Sequence, residues 1–307
     1  MKTAKHFDIV IVGGGMAGMT AAIYAARADR SCVLLETAIT GGLANSTYLV
    51  ENFPSYTGVH GMELMQKVRE QVDHLGVTVE EICEVVRCAL TAKRKTVETE
   101  DTVYDAGAVI IATGRKPVPL DVPTECAQVH YCSVCDGAPY KGKDIVVVGG
   151  GNSAFDEGLY LHRLGVRRIT LVEKEDRFFA AQKAQDALLG NANVTCRLNT
   201  FVEDLVVGDD KLKAAVLKNP LTGTTEAIDA EGVFVFLGQE PNSSLFRGML
   251  NLDHAGYVLA DEHMQTNIAG VFSAGDINAK RFHQLTTAAA DGTTAALMAD
   301  RYLWEQK

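Results

Sequence analysis

The chain has 307 residues, of which 47% are hydrophobic and 22% charged, values typical of a globular protein with two domains of moderate size and not of a disordered one. Its formal net charge of -10 argues against nucleic acid or an anionic membrane as a partner. No apolar segment reaches the ~18 residues that a membrane-spanning helix needs, and no secretory signal precedes the first strand, so we expect a cytoplasmic protein.

Two segments of the chain share one pattern: an apolar strand, a glycine-rich turn, an Ala- or Leu-rich helix, a second apolar strand and a closing glutamate. They cover residues 8–36 and 144–173, and their closing glutamates are Glu36 and Glu173. A parallel β-α-β unit of this length is half of a dinucleotide-binding domain. A single glycine turn also occurs for packing reasons, but two turns in the same full context predict two bound nucleotides.

The glycines of the first turn have separate roles. Gly13 permits the tight turn, Gly15 lets the backbone approach a pyrophosphate, and Gly18 lets the helix pack closely on the strand. The phosphates then lie at the helix N-terminus, where free N–H groups and the helix dipole favour anions. The residues that we assign to the second nucleotide, with alanine as an accepted variant at the third glycine position, are Gly149, Gly151, Asn152, Ala154 and Glu173.

Two further apolar strands, at residues 108–114 and 270–276, end in small residues, as strands that leave a nucleotide-binding domain do. We therefore predict an α/β protein with two Rossmann-like dinucleotide-binding domains of mostly parallel, three-layer architecture, the second inserted in the first. The first domain then consists of residues 1–115 and 243–307, and the inserted domain of residues 116–242. Such insertions are common because the termini of a domain usually lie close together.

Among seven cysteines, only Cys132 and Cys135 have the Cys-x-x-Cys spacing. An odd number of cysteines spread over a long chain argues against a secreted disulfide framework. A zinc site needs a second Cys/His pair at ligand spacing, which the sequence lacks, so we expect no metal. Two inert buried thiols are an alternative. Thiol–disulfide exchange is favoured, because this spacing closes a small ring and lowers the pKa of one thiol.

The ordered combination of these motifs resembles the low-molecular-weight thioredoxin reductases over essentially the whole chain. The resemblance includes the two glycine turns, a loop with Gly41-Gly42 and Val50–Pro54, the segment Cys132–Gly137, and Gly275-Asp276. Related flavoproteins carry two nucleotide motifs but lack the cysteine pair in the inserted domain. The alkyl hydroperoxide reductase flavoprotein shares the core but carries an extra N-terminal module.

The resemblance implies that the first domain binds FAD, with Glu36 on the adenosine ribose, the loop of Asn52 against the flavin and Asp276 on the ribityl chain. The last helix begins with small residues, which indicates that something approaches it closely. If its N-terminus points at the flavin, its dipole would stabilise charge on the reduced ring. For His283, which precedes this helix, an exposed position in a polar turn is an equal alternative. The residues assigned to FAD are Gly13, Gly15, Gly18, Glu36, Gly42, Asn52, Asp276, His283 and Gln284.

The resemblance also implies the catalytic roles. Cys135 would meet the flavin, Cys132 would attack the disulfide of a protein substrate, and Asp136 would be the acid–base residue that thiol exchange requires. A simple Asp-Gly turn is the alternative interpretation of Asp136. The family mechanism rotates the inserted domain, so that the cysteines and the nicotinamide reach the flavin in turn.

Two departures from the family pattern concern cofactor contacts. Leu43 stands where family members usually have a glutamine near the flavin. NADPH-using relatives have a His-Arg-Arg run and a further arginine after the second repeat, whereas this chain has Glu173-Lys174-Glu175-Asp176-Arg177-Phe178-Phe179. The reversed charge predicts NADH as donor, with NADPH disfavoured. Relatives that use ferredoxin tend to lose the second glycine turn, which is intact here.

The leading hypothesis is a thioredoxin reductase-like flavoprotein that passes electrons from NADH through FAD and the Cys132–Cys135 disulfide to thioredoxin or a similar redox protein. A homodimer is implied by the resemblance alone. Three alternatives stay open: a ferredoxin-dependent reductase, a dithiol oxidase that returns electrons to oxygen, and a redox-sensing flavoprotein. The sensor hypothesis predicts very slow turnover with every disulfide.

Overall fold

The computed structural model describes residues 2–306, so the outer ends of the predicted first domain, residues 1 and 307, lie outside the described residues. The chain forms two compact units. The first contains the chain up to Lys116 and from Glu240 onward, and the second is Pro117–Gln239. From the sequence we expected the first boundary one residue earlier, after residue 115, and the second boundary three residues later, after residue 242.

The secondary structure alternates strands with helices in both units. The strands are β1 (Thr3–Val12), β2 (Cys32–Leu35), β3 (Thr78–Glu80), β4 (Val85–Leu90), β5 (Lys95–Thr99), β6 (Thr102–Ile111), β7 (Arg115–Pro117), β8 (Val129–His130), β9 (Asp144–Val148), β10 (Arg168–Val172), β11 (Val194–Arg197), β12 (Phe201–Gly208), β13 (Lys211–Asn219), β14 (Thr224–Asp229), β15 (Gly232–Val235), β16 (Gln239–Pro241) and β17 (Val271–Ser273). The helices are α1 (Met16–Arg27), α2 (Gly61–His74), α3 (Ser133–Asp136), α4 (Asn152–Arg163), α5 (Gln182–Leu189) and α6 (Leu285–Glu305).

The first unit is built on a sheet with the order β3-β2-β1-β6-β5-β4, in which β17 also pairs with β6. Strand β1 is parallel to β2 and β6, and β17 is parallel to β6, whereas β4 and β5 are antiparallel to their neighbours. Alternate residues of β1 face opposite sides. Ile9 and Ile11 pack with α1, α2 and α6 on one face, and Val10 and Val12 pack with β4, β5 and the segment after residue 244 on the other.

The second unit has a fully parallel sheet with the order β11-β10-β9-β15-β8. One face is covered by α4 and α5, through side chains such as Phe155 and Leu188. The other face packs against the antiparallel sheet β12-β13-β14, through side chains such as Leu205 and Leu217. The predicted α/β class with parallel, layered sheets is confirmed.

The small residues of α6 have a packing function. A Cβ atom on Gly292 would lie 2.2 Å from the Ala17 carbonyl oxygen, so α6 and α1 pack in close contact. Part of the small-residue pattern in α6 therefore reflects contact with a helix. No helix among residues 2–306 has the length and apolar character needed to cross a membrane.

Candidate active site

The first glycine turn follows β1 and leads into α1. Gly13 has a φ of +106°, and a Cβ there would lie 2.3 Å from the Ala112 carbonyl oxygen, so a side chain is excluded. A Cβ on Gly18 would lie 1.9 Å from the Gly13 carbonyl oxygen, as close helix–strand packing requires. A Cβ on Gly15 would meet nothing within 4 Å. The helix therefore begins beside open space that can receive an anion.

The structure brings Gly42 and Glu36 to this turn. Gly42 follows Gly41 in a loop of positive φ, and a Cβ on Gly42 would lie 3.4 Å from the Gly15 Cα. The Glu36 carboxylate accepts the Gly14 N–H at 2.6 Å and the Ala38 N–H at 3.0 Å, which fixes its position. A carboxylate has about four acceptor sites, so Glu36 keeps capacity for ribose hydroxyls.

The second glycine turn repeats this geometry between β9 and α4. Gly149 has a φ of +126°, and a Cβ there would lie 2.3 Å from the Phe236 carbonyl oxygen, whereas a Cβ on Gly151 would meet nothing within 4 Å. Ala154 is completely buried beneath the turn. The Asn152 side chain accepts the Ala181 N–H at 2.8 Å, so it fixes the segment that follows β10 to this turn.

Glu173 closes the second repeat. Only 7% of the residue is exposed, and its carboxylate accepts the Glu175 N–H at 2.9 Å. A Cβ on Gly150 would lie 2.4 Å from Glu173 Oε2, which shows that the carboxylate lies against the turn. Glu173 is thus held at the same place in its repeat as Glu36 in the first.

The segment after Glu173 contains two cations, and each already has a partner. The Lys174 ammonium lies 3.9 Å from the Glu175 carboxylate. The Arg177 guanidinium lies over the ring of Phe179, 5.5 Å from its centroid, and Phe179 is 58% exposed. One cation of this segment therefore lies near an acidic side chain and the other near an aromatic one.

The residues assigned to the flavin edge come from distant parts of the chain. Asn52 Nδ2 donates to Gln284 Oε1 at 3.0 Å across 232 positions of sequence. Gln284 also caps the N-terminus of α6 by accepting the Thr287 N–H. His283 is half-buried rather than exposed. Burial lowers its pKa from the usual value, the Arg115 and Lys280 charges lower it further, and Asp276 opposes them.

Asp276 lies in a cluster of charged side chains with unsatisfied polar atoms. Arg115 Nη2 donates to Asp276 Oδ2 at 3.0 Å, and the Lys280 ammonium lies 3.6 Å from Oδ1. Among residues 2–306, Asp276 Oδ1, Arg115 Nε and His283 Nε2 are buried without a hydrogen-bond partner. Buried polar atoms are almost always paired, so this cluster is suited to a polar ligand.

The cysteine pair lies at the start of α3. Cys132 and Cys135 form a disulfide with their Cα atoms 5.4 Å apart. The Cys135 N–H points to Cys132 Sγ at 3.1 Å, and the Asp136 N–H donates to the Cys132 carbonyl at 3.1 Å, so a single helical turn closes the ring. Cys135 is exposed and Cys132 half-buried. The remaining cysteines of the described chain are free thiols.

Asp136 is paired with a histidine that the sequence analysis missed. His130 Nδ1 lies 3.4 Å from Asp136 Oδ2, and His130 Nε2 lies 2.6 Å from the Tyr140 hydroxyl. His130 ends β8 and precedes Cys132 by two positions. The signal in the sequence that could have identified His130 was its position, as a titratable residue, two positions before the Cys-x-x-Cys motif. The contact with Asp136 favours a chemical role for this carboxylate over a simple turn.

A second missed carboxyl lies behind the cysteine turn. Glu157, on α4, interacts with Ser133 of the turn. Burial raises the pKa of Glu157 to about 7, the Asp156 charge adds to the rise, and Ser133 opposes it. Glu157 is therefore a group that exchanges a proton near neutral pH.

Comparisons with known proteins agree with this site. Residues 7–292 match the pyridine nucleotide-disulphide oxidoreductase family. The chain is 42% identical to a 34.2 kDa protein in the rubredoxin operon of Clostridium pasteurianum, covering 99% of each chain. It is 37% identical to the thioredoxin reductase of Peptoclostridium acidaminophilum, covering 97% of each. The crystal structure of Lactococcus lactis thioredoxin reductase superposes with a TM-score of 0.90 at 35% identity, covering 97% of this chain and 99% of that one.

The matches cover almost the whole chain. They agree with the layered units, with the two glycine turns and with the Cys132–Cys135 disulfide that precedes the second turn. The recognition made from the sequence motifs is confirmed, as is the FAD-dependent disulfide oxidoreductase chemistry that it implies. The chain therefore belongs to the pyridine nucleotide-disulphide oxidoreductase family and, within it, to the low-molecular-weight thioredoxin reductases.

Proposed function

We propose that this protein transfers electrons from NADH through FAD and the Cys132–Cys135 disulfide to thioredoxin. The observation that carries the proposal is the disulfide itself, formed within one helical turn and followed directly by an acid. Thioredoxin as substrate is supported by the relatives that bear the name thioredoxin reductase and align over nearly their whole length. By the same likeness we propose a homodimer, and the five free thiols are typical of the reducing cytoplasm.

The first unit fits FAD. The open space at Gly15 would receive the pyrophosphate, and Glu36 would accept hydrogen bonds from the adenosine ribose. The unsatisfied atoms of Asp276 and His283 would contact the ribityl chain and the flavin edge, near the joined side chains of Asn52 and Gln284. Bound FAD supplies an acceptor for hydride and a donor of two electrons to a disulfide.

The chain's own groups then perform disulfide exchange. In the reduced protein, Cys132 gives its proton to Asp136 and attacks one sulfur of the substrate disulfide, forming a mixed disulfide and releasing a thiolate. Asp136 returns the proton to that thiolate. Cys135 attacks Cys132 Sγ, which re-forms the internal disulfide, and its proton passes to the second substrate sulfur. Two electrons and two protons are transferred in total.

The charge argument for NADH over NADPH rests on Glu173, whose buried carboxylate accepts the Glu175 N–H. In the proposed complex this carboxylate would accept hydrogen bonds from the adenosine ribose. A 2′-phosphate there would face this charge at ~4 Å, which costs on the order of 4 kcal/mol per charge pair at an effective dielectric of about 20. Lys174 and Arg177 are the cations of this segment that would oppose the repulsion, and Lys174 lies 3.9 Å from the Glu175 carboxylate. With solvent screening about 3 kcal/mol remains, equivalent to about a hundredfold in kcat/KM.

Ferredoxin is the alternative electron donor. The intact second turn, with open space at Gly151 and the carboxylate of Glu173 beside it, favours a nucleotide. An iron–sulfur protein would use neither feature.

The test is anaerobic addition of NADH, NADPH or reduced ferredoxin while the flavin absorbance is followed, and then addition of thioredoxin disulfide. We expect NADH to bleach the flavin and thioredoxin to restore it. Bleaching by ferredoxin alone would contradict the nucleotide assignment. Bleaching by NADH followed by very slow reoxidation with every disulfide would contradict the reductase assignment and support the sensor.

A further inference from the structure

The His130 side chain is largely buried and contacts Tyr140, Phe234 and Asp136. Its ring lies 5.2 Å from the Tyr140 ring and 5.1 Å from the Phe234 ring, measured between centroids, and its side chain is 16% exposed. One ring nitrogen contacts the Tyr140 hydroxyl and the other contacts Asp136. The two ring contacts fix the plane of the imidazole, so its Nδ1 is held towards the carboxylate.

The protonation states of His130 and Tyr140 decide which group donates in their hydrogen bond. Burial lowers the pKa of His130, with Asp136 opposing, and burial raises the pKa of Tyr140 to about 12. Near neutral pH the imidazole is therefore neutral and the phenol protonated. The Tyr140 hydroxyl then donates to Nε2, which leaves the ring proton on Nδ1, and Nδ1 lies 3.4 Å from Asp136 Oδ2.

The other charged and titratable groups near His130 act on Tyr140 or on the cysteine turn, and not on His130 itself. The Lys143 ammonium lies over the Tyr140 ring at 5.2 Å, and Cys126 and Glu231 act on Tyr140 electrostatically. Glu157 interacts with Ser133 of the cysteine turn and not directly with His130 or Tyr140 in the contacts that the structure gives. Phe234, whose ring centroid lies 5.1 Å from that of His130, is uncharged. The contacts that run from Tyr140 through His130 therefore end on Asp136.

We propose that His130 is the positioning residue for the proton carrier of this enzyme: its Nδ1, 3.4 Å from Asp136 Oδ2, holds the Asp136 carboxylate beside the Cys132–Cys135 pair. The proposal rests on the acid–base role given to Asp136 above. His130 itself touches neither sulfur nor substrate in this role.

A purely structural role for His130, as part of the aromatic cluster, predicts a different pattern. Packing depends on the ring and on the contact with Tyr140. Positioning depends on the donor at Nδ1. Asparagine places an amide N–H near the Nδ1 position, and glutamine places one near the Nε2 position, so the two substitutions form a matched pair that separates the contacts.

The experiment measures kcat/KM for a disulfide substrate at pH 7 in the FAD-loaded protein, with saturating electron donor. We expect His130→Gln to lower kcat/KM about 10–100-fold, because the carboxylate loses the donor that positions it. We expect His130→Asn to stay within about threefold of the unchanged protein. Flavin bleaching by the donor should be normal in both variants.

A double-mutant cycle with Asp136→Asn completes the test. If His130 acts through Asp136, His130→Gln added to Asp136→Asn lowers kcat/KM by less than about twofold. Equal loss in the Asn and Gln variants, or a full further loss in the Asp136→Asn background, would overturn the proposal. So would an Asp136→Asn variant of normal activity.

The choice of substrate keeps this result separate from the identity of the partner. The same cycle is run with thioredoxin disulfide and with a small aryl disulfide. If thioredoxin is not reduced but the aryl disulfide is, the proposed partner fails while the assignment of His130 is still decided by the cycle.

Discussion

The two β-α-β repeats have the same turn but different surroundings. Gly15 and Gly151 open onto equivalent space, and Glu36 and Glu173 are both held by backbone N–H groups. Buried polar atoms without hydrogen-bond partners occur at Asp276, Arg115 and His283 in the first unit and at Ser133 and Glu157 in the second, and the segment beside the second turn carries the exposed Phe179. We propose that the turn provides an anion site in each unit and that its surroundings decide whether the nucleotide is retained or exchanged.

The largest expected effect separates the two turns. Gly15→Val should abolish FAD binding, because the side chain would occupy the space of the pyrophosphate while meeting no protein atom within 4 Å at its Cβ. Gly151→Val is the matched control: it should retain FAD and lose reduction by NADH. The ratio of flavin to protein absorbance after purification measures the first effect. Normal flavin content in Gly15→Val would show that the assignment is wrong.

The next prediction concerns the disulfide in the second unit. Cys132→Ser and Cys135→Ser should each eliminate disulfide reduction and leave flavin bleaching by the donor largely intact. Cys88→Ser, which removes a buried free thiol, is the control and should retain turnover. Turnover near normal in either active-site variant would contradict the relay.

Asp136→Asn should slow disulfide reduction about 10²–10⁴-fold, the range expected when acid–base assistance is lost. The measurement is kcat with saturating donor and thioredoxin. Asp105→Asn, which alters a carboxylate exposed on β6, is the control and should leave kcat unchanged. A loss of less than about threefold in Asp136→Asn would leave the carboxylate without an acid–base role.

Glu173→Arg should change the donor preference about a hundredfold towards NADPH, because it replaces a repelling charge with an attracting one. The measurement is the ratio of kcat/KM for NADH and NADPH in both proteins. Glu36→Arg, at the equivalent place in the first repeat, should instead weaken FAD binding. A preference for NADPH in the unchanged protein would contradict the charge argument.

The smallest effect is a pH-dependent stability difference in the second unit. The pKa of Glu157 is raised to about 7 in the folded state, from 4.5 when unfolded, so folding loses stability as pH rises between these values. Glu157→Gln should match the unchanged protein below pH 4.5 and exceed it by about 1–2 kcal/mol at pH 8. Denaturant unfolding at both pH values measures this, and an equal difference at both would contradict it.

The two repeats were predictable from sequence because their signals are local. Strand periodicity, glycine spacing and the closing glutamates all lie within about 30 residues of one another. His130 was missed because its importance depends on contacts with Asp136 and Tyr140 that strand periodicity does not report. The joining of Asn52 to Gln284 and the buried position of Glu157 likewise depend on tertiary packing. The small residues of α6 predicted a close approach without naming what approaches, and the structure shows Gly292 against α1.

The most direct test of the central claim, that bound flavin and the Cys132–Cys135 disulfide form one electron path, is an anaerobic reductive titration with dithionite. The flavin and the disulfide each accept one electron pair. The intact protein should therefore take up two pairs per chain before the flavin is fully bleached, and the Cys132→Ser/Cys135→Ser double variant should take up one. Full bleaching of the intact protein by a single pair would contradict the account.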